Sequence, residues 1–172
     1  MKFSLHVQTR ITDWQLIKEL EELGYDVPSH MARIDEEQET LIREAVADYL
    51  ERLPEDSDHP FVAARPDEWK LTIWGVVLDR AGCQGTHLHP TGWLSGVYYV
   101  RIPKSIGTAS QEGWIEFGRP PASIGCHTEH ETIRVQPEAG RMVLFPSYFY
   151  HHTVPFKSEG TRISIAFDLM PA

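Results

Sequence analysis

From Leu71 onward the chain breaks into short β-rich runs separated by turn residues, and no other feature constrains its fold as much. Leu71–Asp79 (LTIWGVVLD), Leu94–Ile102 (LSGVYYVRI), Gly113–Phe117, Thr132–Val135, Met142–Phe145 (MVLF) and Arg162–Leu169 (RISIAFDL) recur at fairly regular spacing. That spacing predicts an antiparallel sandwich or barrel, with Leu71–Asp79 as a buried strand. The preceding part has a different texture. Thr12 and Gln15 stand at capping-box spacing among Trp14, Leu16, Ile17, Leu20 and Leu23, which predicts a helix stopped by Gly24. A second helix is predicted from about Ile34 to Leu53, with Leu41, Ile42, Ala45, Val46, Tyr49, Leu50 and Leu53 on one face, acids in its first turns and Pro54 after it. Glu55–Asp67, with Pro60, Pro66 and several acids, reads as a connecting loop. The expectation is a mainly β fold with N-terminal helices: residues 1–66 as a helical extension packed on a β-domain at 67–172, in one structural unit.

Charge narrows the function. Residues 1–70 hold 17 acidic against 8 basic side chains, whereas residues 71–172 hold 8 of each. A chain acidic at one end and neutral at the other has no general basic face, which argues against nucleic-acid binding. No apolar run reaches the roughly 20 residues of a membrane-spanning helix. The opening MKFSLHVQTR has no apolar signal core, and Cys83 and Cys126 make no disulfide framework, so a cytoplasmic setting is expected. Six of the nine histidines lie after residue 86, which places any chemistry in the second part.

The densest motif is Gly85-Thr86-His87-Leu88-His89-Pro90. In extended chain, residues i and i+2 face the same way, so His87 and His89 project together and can occupy adjacent positions around one metal. By itself His-x-His is a weak signal. His151 follows 64 residues after His87, just past the apolar run Met142–Phe145. Its neighbour His152 should face the other way, since successive strand residues alternate. On Arg162-Ile163-Ser164-Ile165-Ala166-Phe167, alternation puts Arg162, Ser164 and Ala166 on one face. A guanidinium aimed into an apolar barrel needs a partner, and a small dicarboxylate supplies one. The plainer alternative pairs Arg162 with Asp79, Glu116 or Asp168 as a surface ion pair.

The ordered set His87-x-His89-Pro90, Trp93-Leu94-Ser95-Gly96-Val97-Tyr98-Tyr99-Val100, Phe145-Pro146-Ser147, His151 with Pro155, and Arg162-Ile163-Ser164-Ile165-Ala166-Phe167 resembles the iron(II)- and 2-oxoglutarate-dependent oxygenases. Within them it is most similar to a bacterial branch whose members are mostly uncharacterised. The resemblance spans roughly Trp69 to Asp168. It implies a double-stranded β-helix, or cupin-like jelly roll, with iron near the barrel mouth. It further implies His87, His89 and His151 as ligands to Fe(II), and Arg162 with Ser164 as the anchor for the distal carboxylate of 2-oxoglutarate. Tyr98 and Tyr99 alternate faces, and Tyr99 is taken as the inward one that bonds the cosubstrate, with core packing as its rival. The implied reaction decarboxylates 2-oxoglutarate to succinate and CO₂ while oxidising a substrate C–H bond. One position departs from the pattern: most of the superfamily has Asp or Glu where this chain has His89, and a neutral imidazole leaves the metal site one negative charge poorer.

Weaker candidates remain. His127 and His130, in HTEHE, read as a solvated loop that could help choose a substrate, and Trp93, close to the histidine pair, could line a pocket. Trp69, Trp74 and Trp114 are assigned to the core. Two other functions stay open: a cupin-like three-histidine metalloprotein acting without 2-oxoglutarate, and a non-catalytic binding module for a metal or small acid. The primary substrate, small molecule or protein, is not legible. A homodimer is compatible with the sequence.

Overall fold

The computed structural model describes residues 6–9, 36–54, 58–79, 81–106, 110–126 and 129–172. The helix expected over residues 12–24 lies outside them. Among the described residues ten strands and two α-helices follow in chain order: β1 (His6–Thr9), α1 (Glu36–Glu51), α2 (Pro60–Ala63), β2 (Trp69–Leu78), β3 (Ala81–Gly82), β4 (Leu94–Arg101), β5 (Ile115–Phe117), β6 (Ile133–Val135), β7 (Arg141–Pro146), β8 (His151–Thr153), β9 (Phe156–Lys157) and β10 (Arg162–Pro171).

The strands form a five-stranded sheet in the order β1-β7-β4-β10-β2, a three-stranded sheet β6-β5-β8 and the pair β3-β9. The pairings are antiparallel, as the spacing of the runs predicts. Register then decides which side chains meet. Ser164 lies opposite Tyr99 and Asp168 opposite Ser95 across β10 and β4, while Ser95 faces Phe145 across β4 and β7. Because side chains alternate, one face of the large sheet carries Ser95, Val97, Tyr99, Val143, Phe145, Arg162, Ser164 and Asp168. The other carries Leu94, Tyr98, Met142, Leu144, Ile165, Phe167 and Leu169.

These two faces sit over two separate cores. Val97, Tyr99, Val143 and Phe145 pack with Ile115 and Phe117 of the small sheet, forming the inside of the sandwich. On the outer face, Leu94, Tyr98, Met142, Leu144, Ile165, Phe167 and Leu169 pack with Ile42, Ala45, Val46 and Tyr49 of α1. Each fully buried Leu or Phe there contributes about 1.5–3 kcal/mol. Gly96 makes this packing possible: a Cβ at its position would lie 2.2 Å from Phe167 Cζ.

Helix α1 ends two residues short of the expected Leu53, because Pro54 disfavours helical backbone in the residue before it. Two of its acids stand in the exposed pairs Glu39–Arg43 and Asp48–Arg52. The expected loop at 55–67 holds a helical turn instead. Pro60 sits in its first turn and the His59 ring accepts from the Phe61 N–H at 3.1 Å, a cap that turn chemistry alone did not announce. The Leu71–Asp79 run is a half-buried edge strand rather than a buried one, since among the described residues nothing pairs with its far side in that sheet.

Candidate metal centre and dicarboxylate pocket

The loop after β3 meets the end of β7 and the start of β8. Backbone bonds run both ways between His87 and His151, at 3.0 and 2.9 Å, and the His89 N–H donates to the Ser147 carbonyl at 2.9 Å. These bonds fix the two chain segments side by side. His87 and His89, two apart, then project together, with ring centroids 5.2 Å from each other. The rings of His87 and His89 lie 4.3 and 5.1 Å from that of His151. One ligand nitrogen from each histidine lies within 4.8 Å of the others. Among the described residues no other group of three metal-ligating side chains occurs.

Each imidazole is oriented through its Nδ1. His87 Nδ1 lies 2.8 Å from the Gly85 carbonyl, His151 Nδ1 lies 3.0 Å from the Phe149 carbonyl, and His89 Nδ1 lies 2.6 Å from Asp168 Oδ1. All three partners are acceptors, so each ring carries its proton on Nδ1 and keeps the Nε2 lone pair free. Burial pulls the His151 pKa down to about 4, helped by His87 and His89 and opposed by the Phe149 carbonyl, so this ring is neutral at neutral pH. Three imidazoles, each bonded through Nδ1, are a donor set suited to a first-row divalent metal such as Fe(II).

His151 lies opposite Phe117 and His152 opposite Glu116. His151 is therefore the inward residue of the pair. His152 belongs to an outer brace around Glu116, a carboxylate only 1% exposed that accepts from Arg119 Nε at 2.7 Å and Arg134 Nε at 2.6 Å. Burial raises the Glu116 pKa, but the two arginines outweigh it and the carboxyl ends below its ordinary value.

Farther along the same inner face is a second polar group. Arg162, Ser164 and Tyr99 are 2%, 2% and 0% exposed. Arg162 Nη1 donates to Ser164 Oγ at 3.3 Å, and the guanidinium carbon stands 5.0 Å from the Tyr99 ring centre. The phenol lies close enough for the two groups to influence each other's titration, yet Tyr99 Oη and Arg162 Nε both lack a well-aligned hydrogen-bond partner. Burial pushes the Tyr99 pKa up and pulls that of Arg162 down.

The ion-pair alternative for Arg162 fails, because each of its three candidate acids is engaged elsewhere. Asp79 accepts from Thr161, Glu116 from Arg119 and Arg134, and Asp168 pairs with His89. Among the described residues no carboxylate meets this guanidinium. A buried cation beside a hydroxyl that has no well-aligned partner fits a small anion with a carboxylate to offer.

Trp93 is corrected. It lies in the outer core, stacked on Phe61 with centroids 4.4 Å apart and its indole N–H donating to the Phe61 carbonyl at 2.9 Å, so it does not line the inner pocket. The neighbour the sequence reading assigned to the core, Trp74, is the one near the site, with its ring 5.6 Å from that of His89. Tyr98 packs in the outer core and Tyr99 in the inner one. His127 lies outside the described residues, and His130 takes no part in the histidine cluster. Sequence reasoning also missed Asp168, Ser95 and Ser147, although the alternation that turned Arg162 and Ser164 inward turns Asp168 inward too.

The family described as "Putative 2OG-Fe(II) oxygenase" matches residues 72–168. No curated relative matches the chain at the sequence level. Among solved structures, a viral collagen prolyl hydroxylase from Paramecium Bursaria Chlorella virus-1, in a 2OG complex, superposes with a TM-score of 0.60 at 14% identity, covering 91% of this chain and 87% of that one. A Pseudomonas putida prolyl-4-hydroxylase superposes at 0.57 and 14% identity, covering 98% and 88%. A 2OG-Fe(II) oxygenase-family oxidoreductase from Burkholderia pseudomallei gives 0.51 at 13% identity, covering 93% and 81%. At such identities the structural likenesses establish the fold, a double-stranded β-helix, and the family match, which spans more than half of the chain, establishes the rest: this protein belongs to the 2OG-Fe(II) oxygenases, with Fe(II) as its metal and 2-oxoglutarate as its cosubstrate.

Proposed function

We propose that His87, His89 and His151 hold the Fe(II) through Nε2, and that Arg162, Ser164 and Tyr99 take the distal carboxylate of 2-oxoglutarate. The observation that carries this reading is the pair of buried atoms without a well-aligned partner, Tyr99 Oη and Arg162 Nε, beside the inner core that His151 enters next to Phe117 and Phe145. When bound, iron and 2-oxoglutarate together supply the reduction of O₂, one oxygen atom entering succinate and the other the substrate.

The chain's own residues do the positioning. Three Nδ1–H bonds hold the imidazoles in register before the metal arrives, so little reorganisation accompanies binding. The Arg162 fork orients the cosubstrate, and a distal carboxylate there gains charge-assisted bonds from Arg162 and a further donor in Tyr99. Val97, Val143, Phe145, Ile115 and Phe117 line the interior with apolar surface, which strengthens those bonds by excluding water.

Residues 1–66 and 67–172 act as one unit in this reading, supported by β1 pairing with β7 and α1 covering the outer face of the large sheet. Among the described residues no helix is long and apolar enough to cross a membrane. A chain with two cysteines, both exposed, supports the expectation of a reducing, cytoplasmic setting. Prolyl hydroxylation is the activity named for two of the structural neighbours. It sets a place to begin a substrate panel.

Equilibrium binding of 2-oxoglutarate to the anaerobic Fe(II)-loaded protein tests the assignment. Arg162→Ala should weaken cosubstrate binding by about 3 kcal/mol, roughly a hundredfold, with iron affinity unchanged. Wild-type affinity for 2-oxoglutarate in that variant would remove the anchor.

A further inference from the structure

His89 is bound on its far side by a carboxylate, and that carboxylate sits in a network of its own. Asp168 Oδ1 receives His89 Nδ1–H at 2.6 Å and Ser95 Oγ–H at 2.6 Å. With its proton directed to Asp168, Ser95 Oγ accepts from Ser147 Oγ at 2.8 Å. Ser95 and Ser147 are fully buried and Asp168 is 8% exposed. Two donors thus converge on one carboxylate oxygen and fix its position. The backbone is shaped around this chain of bonds. Asp168 and Ser95 are register partners on β10 and β4, and a Cβ on Gly92 would come within 2.6 Å of Ser147 Oγ. His87 and His151, by contrast, bond to neutral backbone carbonyls.

We infer that Asp168 is a positioning residue for the metal centre: it holds the His89 ring with Nε2 toward the cation, and through that imidazole it returns the negative charge lost by having histidine where the resembling oxygenases have Asp or Glu. The inference rests on the ligand set proposed above. A carboxylate bonded to the far nitrogen of a ligating imidazole fixes the tautomer and makes the near nitrogen a stronger donor, and removing such a partner typically weakens metal binding by about 10- to 100-fold. The charge is thus moved one ring back from the metal rather than lost. Ser95 and Ser147 hold the carboxylate in that place.

The test uses Co(II) and Fe(II) as probes with the full chain under anaerobic conditions. Asp168→Asn keeps the side chain's size and removes its charge. Its apparent affinity for both metals should fall about 10- to 100-fold, with an unchanged far-ultraviolet dichroism spectrum. A role in packing alone would leave ligand electronics untouched, so the second readout is proton NMR of the Co(II) protein. Each ligating ring contributes an exchangeable, metal-shifted Nδ1–H signal, and in Asp168→Asn the His89 signal alone should move. Should that variant fail to fold, Ser95→Ala keeps the carboxylate but removes one donor, and it should move the same signal with a several-fold loss of affinity. If these variants bind metal as wild type does and leave every shifted signal in place, while a His87→Ala, His151→Ala double variant binds none, the role of Asp168 is refuted and the ligand set stands. If the wild-type protein itself takes up neither metal, the ligand set falls and the inference falls with it.

Discussion

The two ends of the inner face of β10 are built on opposite plans. At the Asp168 end the histidine cluster is paired within the protein: the Nδ1 atoms of His87, His89 and His151 have acceptors, and the carboxylate has two donors. At the Arg162 end, six residues further back along the strand, Arg162 Nε and Tyr99 Oη are buried without a well-aligned hydrogen-bond partner. A buried unsatisfied polar group costs about 1–3 kcal/mol. The first end is therefore complete before any ligand arrives, and the second becomes complete only with one. That is the physical difference between a site made to hold a small spherical cation and a site made to admit and release an organic anion at each turnover.

The largest effects expected separate the ends cleanly. Arg162→Ala should impair 2-oxoglutarate binding and spare the metal, whereas Asp168→Asn should impair the metal first. Equal damage to both ligands by either substitution would break the comparison. A smaller effect sharpens it. Tyr99→Phe removes the unsatisfied hydroxyl, so the ligand-free protein should gain about 1 kcal/mol, a rise in Tm of roughly 2–4 °C. The same variant should bind 2-oxoglutarate about tenfold more weakly. Thermal melts and a titration of the loaded protein check the two signs, and a lower Tm with unchanged affinity would contradict the reading of Tyr99 as an open donor.

The smallest effect concerns the brace behind His151. The Glu116 carboxyl has a folded pKa below its ordinary 4.5. A depressed carboxylate pKa means that its contribution is present above the unfolded value and is lost as pH falls below about 4.5 toward the folded value. Glu116→Gln should therefore be destabilised by on the order of 1 kcal/mol at neutral pH, and the gap to wild type should close in acid. Denaturant melts at pH 7 and pH 3.5 measure it, and a constant gap would show that the charge of Glu116 is immaterial.

How much of this was legible depends on the kind of signal. The period-two alternation on Arg162–Phe167 placed Arg162 and Ser164 correctly on the inner face, because a strand between two cores has no freedom in which side each residue takes. The same rule extended two residues further would have delivered Asp168, which was weighed only as an ion-pair partner for Arg162. Local spacing brought His87 and His89 together; their meeting with His151 depends on long-range backbone pairing and could be assigned only by resemblance. Trp93 was misplaced because its fate is decided by Phe61, carried in by a helical turn that a Pro-rich, acidic stretch concealed. Trp74 is assigned to the core by residue type alone for the converse reason: on an edge strand, nothing in its neighbours shows which face a tryptophan takes.

The account's central claim is that the histidine cluster and the Arg162 group serve one bound molecule together. Adding 2-oxoglutarate to the anaerobic ferrous protein while following its visible absorption tests that claim directly. A saturable charge-transfer band, absent from the His87→Ala, His151→Ala double variant and shifted to roughly hundredfold higher 2-oxoglutarate in Arg162→Ala, is the expected result. A ferrous spectrum that stays unchanged while 2-oxoglutarate demonstrably binds would place the two ligands in unconnected sites and contradict it.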